Sequence, residues 1–168
     1  MAQSQCMLEV GVLGINHKTG NLLLREMIAR ASDYLFFVHR IVVLSTCNRT
    51  EIYFSTPFLA EAHCDLLCAL RKMISAPFEQ QLYSYFGIDC FTHLCRVTAG
   101  LDSAIVAETE IQRQVKLSYQ QASLKIKLPA PLHFLFQKAL KVAKGVRSQQ
   151  KFPPTFFPKI LWKIIEEN

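Results

Sequence analysis

An α+β fold is predicted by three features of the sequence. Alternating or β-branched runs occupy 8–15, 38–44, 51–54 and 82–86, helical spacing separates them, and the pattern turns wholly helical from about Ile88. LEVGVLGI (8–15) alternates and reads as the first strand. Thr19 then precedes LLLREMIARA, where Leu24, Met27, Ile28 and Ala31 share one helical face. VHRIVVL (38–44) reads as a second strand, STCNRT (45–50) as a polar turn and EIYF (51–54) as a third strand. Within 61–74, His63, Leu66, Leu67, Leu70, Met73 and Ile74 fall at helical spacing. LYSYF (82–86) completes the strands and is closed by Gly87. Farther on, Ile111, Val115, Tyr119, Ala122 and Ile126 recur at steps of four, with one of three. LPAP (128–131) breaks that helix, and HFLFQKALKVAKGVRSQQ (133–150) starts another. The order is that of a ferredoxin-like βαββαβ sandwich followed by a helical subdomain. One domain is expected over 1–150, its α+β part at about 8–87 and its helical part at about 88–150. Residues 151–168 read as a linker or the truncated start of a next domain.

Composition narrows the function classes. Of 168 residues, 51% are hydrophobic and 19% charged, which excludes a disordered chain. No run approaches the roughly 18 to 20 apolar residues of a membrane span. The start MAQSQCMLEV has neither the basic nor the apolar part of a signal peptide, so the cytoplasm is the expected location. The six cysteines, at 6, 47, 64, 68, 90 and 95, are then expected to be reduced thiols. A net charge of +6 suits a polyanionic partner, although such a charge is common on proteins that bind no nucleic acid.

Cys47 differs from the other cysteines in lying on a polar turn between two strands. Thiolate is the attacking species, and Arg49, two residues on, favours an anion there. The alternative is a half-buried hairpin thiol. His63-Cys64 with Cys68, and Cys90-x2-His93-x-Cys95, offer soft metal ligands, but neither has the paired C-x2-C spacing of structural zinc, and no metal site is expected. On an apolar helix face such cysteines act as small hydrophobes. No G-x-G-x-x-G follows a strand, so nothing points to dinucleotide binding by this chain. Lys138, Lys141, Lys144 and Arg147 recur every three residues, which makes either a phosphate-tracking stripe or a solvated face.

Four segments in order resemble glutamyl-tRNA reductases. They are GINHKT (14–19) with Arg25 and Glu26 after it, STCNRTEIY (45–53), HLCRVTAGLDSAIVAETEIQRQVK (93–116) and HFLFQKALKVAKGVR (133–147). The resemblance implies that Cys47 attacks the ester joining glutamate to tRNA. A thioester forms, and NADPH, bound by a domain absent from this chain, reduces it to glutamate 1-semialdehyde for tetrapyrrole synthesis. It also implies that Arg49 binds the substrate carboxylate, that Thr46 and Ser103 bond the glutamyl group, and that Glu108 holds its ammonium. Gln112, Gln114 and Asn16 are further pocket candidates, His93 is a candidate for proton transfer, and His17 and Lys18 would stand at the rim. Glutamyl-tRNA is the implied partner, with glutamate-1-semialdehyde aminomutase as the downstream enzyme and a homodimer only in the full-length protein. The alternative is a noncatalytic tRNA-binding or regulatory module. The chain departs from the family pattern at 107–110 (Ala-Glu-Thr-Glu for Gly-Glu-Pro-Gln), at Arg113 for glycine, and at Gly20-Asn21 for Ala-Pro.

Overall fold

The computed structural model describes residues 9–102 and 109–148. Four strands are present: β1 (Val10–Asn16), β2 (Val42–Ser45), β3 (Arg49–Ser55) and β4 (Tyr83–Phe86). Helix α1 (Leu22–His39) joins β1 to β2, and α2 (Leu59–Met73) lies between β3 and β4. Three more helices follow: α3 (Gly87–Thr98), α4 (Thr109–Lys125) and α5 (Ala130–Ser148). The α+β class is therefore as predicted. The sheet order is β2-β3-β1-β4, and every neighbouring pair is antiparallel.

Both faces of this sheet are covered. Leu13, Ile15, Ile52 and Phe54 pack under α1 and α2, against Leu24, Ile28, Leu35, Leu66 and Leu70. On the opposite face Val10, Val12, Val42, Leu44 and Tyr53 meet α3, α4 and α5 through Leu94, Val115, Leu135 and Phe136. A strand sandwiched in this way has no solvent side. Arg49, Thr50 and Glu51 on β3 are accordingly buried along with their apolar neighbours.

Three local readings differ from the sequence expectation. The second strand starts at Val42 rather than residue 38, because the buried series Leu24, Ile28, Ala31, Leu35 carries α1 on to His39. Val38, whose β-branching suggested a strand, stands exposed on that helix, and Arg40 ends it with a positive φ of 49°. Helix α1 is capped by Asn21, whose Oδ1 accepts from the Leu24 amide at 2.9 Å, while Thr19 belongs to the preceding turn. Gly87 does not simply close β4. It begins α3 at a φ of 55°, where a side chain is disfavoured.

Cys64 and Cys68 correct the reading that places all four of the C/H-cluster cysteines on apolar faces. They are exposed, because the buried stripe of α2 runs through Leu66 and Leu70, two residues round the helix. Cys90 and Cys95 do lie in the core. Among the described residues no group of three or more histidine, cysteine or acidic side chains could hold a metal ion, and no helix is long and apolar enough to cross a membrane.

Candidate functional site

The β2–β3 turn presents Cys47 at one end of the sheet. Its backbone is fixed at several points. Thr46 N–H donates to Arg49 O at 2.8 Å, and Thr46 Oγ1 accepts from the amides of Asn48 and Arg49, each at 3.2 Å. The Asn48 carbonyl accepts from the His17 amide at 2.8 Å, which ties the turn to the loop after β1. Arg25, reaching from α1, donates to Cys47 O at 2.9 Å and to Gly20 O at 2.7 Å. The turn is thus held from both sides while the Cys47 residue stays exposed. A thiol on a restrained, open turn is positioned to meet an electrophile without reorganising the backbone.

Asn16 ends β1 directly opposite Arg49 in the ladder. Its Oδ1 accepts from the amides of Lys18 at 2.9 Å and Thr19 at 3.2 Å, so this oxygen shapes the 16–20 loop. Arg49 itself is only 1% exposed. Its Nη1 donates to Glu51 Oε1 at 2.9 Å and its Nη2 to Asp102 O at 2.8 Å, immediately before segment 103–108. Each terminal nitrogen has a second N–H beyond the bond it makes here.

Glu51, which the sequence does not single out, is the hub of the buried polar network. The residue is 0% exposed. Oε1 accepts from Arg49, from Tyr83 OH at 2.6 Å and from His93 Nε2 at 2.7 Å, while Oε2 accepts from Tyr53 OH at 2.6 Å. Burial alone would raise its pKa. The facing His93 and Arg49, with the hydrogen bonds, outweigh burial and hold it at about 2. Burial, reinforced by Glu51, pushes the Tyr53 and Tyr83 hydroxyls well above their ordinary range, so both remain proton donors. Space for the hub exists because residue 14 is glycine: a Cβ there would come within 2.7 Å of Tyr83 Cε2 and 2.9 Å of Glu51 Cγ. The sequence signals for Glu51 are its place in the matched segment STCNRTEIY (45–53) and a carboxylate inside a β-branched and aromatic run.

His93, on α3, therefore reaches the sheet through Glu51. Its ring stacks on Tyr85 at 4.8 Å between centroids and 30° between planes, with Tyr83 at 5.4 Å. His63, the other histidine weighed as a ligand, instead bonds Ser84 Oγ at 2.7 Å. The structure thus assembles Asn16, Thr46, Cys47 and Arg49 at one sheet end, with His93 joined to Arg49 by Glu51. Ser103 and Glu108 lie outside the described residues.

Gln112 and Gln114 are half-buried on α4. Gln112 lines a cleft of about 560 Å³ between α4 and α5, together with Arg113, Lys116, Leu140, Lys141 and Lys144. The basic stripe of α5 is thereby divided: Lys141 and Lys144 line this cleft, whereas the Lys138 ammonium sits 5.3 Å from the Phe134 ring centroid. Two departures from the family pattern meet here. Arg113 Nε lies 3.0 and 3.1 Å from the two Glu110 carboxylate oxygens, and its Nη2 bonds the same group, so each neutralises the other.

Comparison with known proteins adds the following. A family model described as glutamyl-tRNAGlu reductase, N-terminal domain, matches residues 13–150. A Chlamydia pneumoniae protein named glutamyl-tRNA reductase is 40% identical over 158 residues, covering 86% of this chain and 44% of its own length. One of the same name from Chlamydia caviae is 41% identical over 151 residues, covering 83% and 43%. The solved glutamyl-tRNA reductase of Methanopyrus kandleri superposes with a TM-score of 0.66 at 29% identity, over 84% of this chain and 35% of that one. The chain spans less than half the length of these relatives.

Proposed function

Because the chain belongs to the glutamyl-tRNA reductase N-terminal domain family, we propose that it carries the acyl-transfer half of that reaction, with Cys47 as nucleophile. The observation that supports this most is the exposed Cys47 on a turn pinned by Arg25 and joined through Arg49 to a buried charged network. The Cys47 thiolate attacks the ester carbonyl carbon of glutamyl-tRNA. A C–S bond forms, the C–O bond to the terminal ribose breaks, and that ribose oxygen leaves as a hydroxyl. Cysteine suits the step because a thiolate both attacks and departs readily. The thiol proton passes to His93 and from it to the leaving oxygen.

The remaining assignments follow the matched positions. Arg49 binds the glutamyl side-chain carboxylate with its free N–H groups. Thr46 Oγ1 already accepts two amides, so its own proton is free to donate to the substrate. Ser103 adds a second hydroxyl, Glu108 holds the α-ammonium, and Asn16, Gln112 and Gln114 complete the pocket.

NADPH does not fit the described residues. Every strand pairing is antiparallel, so there is no parallel βαβ crossover with a glycine-rich turn at a helix N-terminus to seat a pyrophosphate. We assign hydride transfer, which would give glutamate 1-semialdehyde for tetrapyrrole synthesis, to a domain outside this sequence. The homodimer belongs with the full-length protein as well, and an aminomutase would consume the aldehyde in the cytoplasm. Left to itself, this chain passes the acyl group to water, as a slow glutamyl-tRNA esterase.

A noncatalytic tRNA-binding module is the second reading, favoured by the basic α4–α5 cleft. Release of labelled glutamate from glutamyl-tRNA distinguishes the two. The parent chain should deacylate it and Cys47→Ser should not. Equal rates, or none above the uncatalysed rate for the parent, would leave only the binding module.

A further inference from the structure

The resemblance assigns no role to Glu51, Tyr53 or Tyr83, yet Glu51 bonds the histidine that the mechanism needs, and both tyrosines bond Glu51. We infer that Glu51 locks His93 with its proton on Nε2, so that Nδ1 is the nitrogen that takes and returns the proton. This assignment rests on the reading of His93 as the proton carrier.

The argument is one of donors and acceptors. An ionised carboxylate can only accept, so each polar atom within hydrogen-bond distance must bring a proton. Arg49 always does. Tyr53 and Tyr83 do so as neutral phenols, 2.6 Å away. His93 Nε2, at 2.7 Å from Oε1, must do the same. Flipping the ring does not escape this, because it would set a carbon near 2.7 Å from that oxygen, well inside normal C···O contact. Three donors share Oε1 and one meets Oε2. A neutral His93 therefore carries its lone pair on Nδ1.

The ring cannot easily turn away. Tyr85 stacks on it and Tyr83 lies beside it, while Tyr83 is itself hydrogen-bonded to the same carboxylate oxygen. Glu51 in turn is fixed by Arg49, which reaches on to Asp102 O at the edge of segment 103–108. Glu51 is thus a positioning residue that acts through His93. An outer carboxylate that sets the tautomer of a working imidazole is a recurrent device.

The test reads the tautomer directly. Long-range proton–nitrogen NMR correlations on the ¹⁵N-labelled full chain report which ring nitrogen is protonated, and His93→Asn identifies the signals by their loss. As the pH is raised until the ring is neutral, Nε2 should keep its proton and Nδ1 should lose it. A neutral ring protonated on Nδ1 overturns the inference. Glu51→Gln should release the ring into a mixture of tautomers. If circular dichroism shows that variant unfolded, Glu51→Asp, which withdraws the carboxylate by one methylene, takes its place. An unchanged Nε2–H tautomer in the folded variant also overturns the inference. Deacylation by His93→Asn separates this from the wider reading: a rate equal to the parent's removes His93 from the mechanism even where the lock is found.

Discussion

Replacing Glu51 by Gln removes the charge on which four donors converge. Two routes give the cost. Arg49, with a side chain 2% exposed, would be left a buried cation without its counter-ion, which costs about 3–5 kcal/mol. On the acid side, the fall of the Glu51 pKa from 4.5 to about 2 corresponds, at about 1.4 kcal/mol per tenfold, to about 3 kcal/mol. The folded value lies below the unfolded one. The stabilisation is therefore complete above pH 4.5 and is lost as the pH falls from there towards about 2. Urea unfolding followed by far-UV circular dichroism at pH 7, 4 and 2.5 checks both. With a slope of about 2 kcal/mol/M, the variant's midpoint at pH 7 should lie about 2 M below the parent's. Its stability should also change less than the parent's between pH 4 and 2.5, since carboxylates common to both chains cancel. Equal midpoints at pH 7, or an equally steep acid loss in the variant, would refute the reasoning.

Three further outcomes are expected. Gly14→Ala forces a Cβ to within 2.7 Å of Tyr83 Cε2, so thermal denaturation should show a loss of about 1–3 kcal/mol, and an unchanged Tm would mean the hub has room to spare. In Lys116→Ala/Lys141→Ala/Lys144→Ala, the plot of log affinity for tRNA against log salt should be shallower by about 2 to 3, at about 0.7–0.9 per phosphate contact; an unchanged slope removes the α4–α5 cleft as the RNA contact. Arg113→Gly removes the partner of the Glu110 carboxylate and should weaken tRNA binding a few-fold, with Glu110→Gln strengthening binding in the Arg113→Gly chain but not in the parent; an equal effect of Glu110→Gln in both chains would show that the two do not compensate each other.

The elements whose apolar pattern is local were legible in the sequence. β1, β3, α2 and the break before α5 fall close to their predicted places, because alternation or helical spacing is set within a few residues. The start of β2 was misplaced because Val38 carries the same β-branching whether it ends a helix or begins a strand. Which face of α2 is buried depends on the sheet beneath it, and for that reason Cys64 and Cys68 were misread. Cys47 stood out by its polar turn, which the structure places at the exposed β2–β3 corner. Glu51 did not stand out, because its importance comes from residues 2 to 42 positions away in the chain, and from a sheet covered on both sides. Arg25 was noted only as part of a matched segment, since its hold on Cys47 O spans 22 residues.

The central claim is a covalent glutamyl bond to Cys47, and intact-mass spectrometry tests it most directly. Incubated with glutamyl-tRNA in the absence of NADPH and quenched in acid, the chain should gain the mass of one glutamyl group. Hydroxylamine should remove it, and peptide mapping should place it on Cys47. Cys47→Ala should show no adduct. No adduct on the parent under conditions where glutamyl-tRNA is being deacylated, or an adduct that persists in Cys47→Ala, would contradict the account.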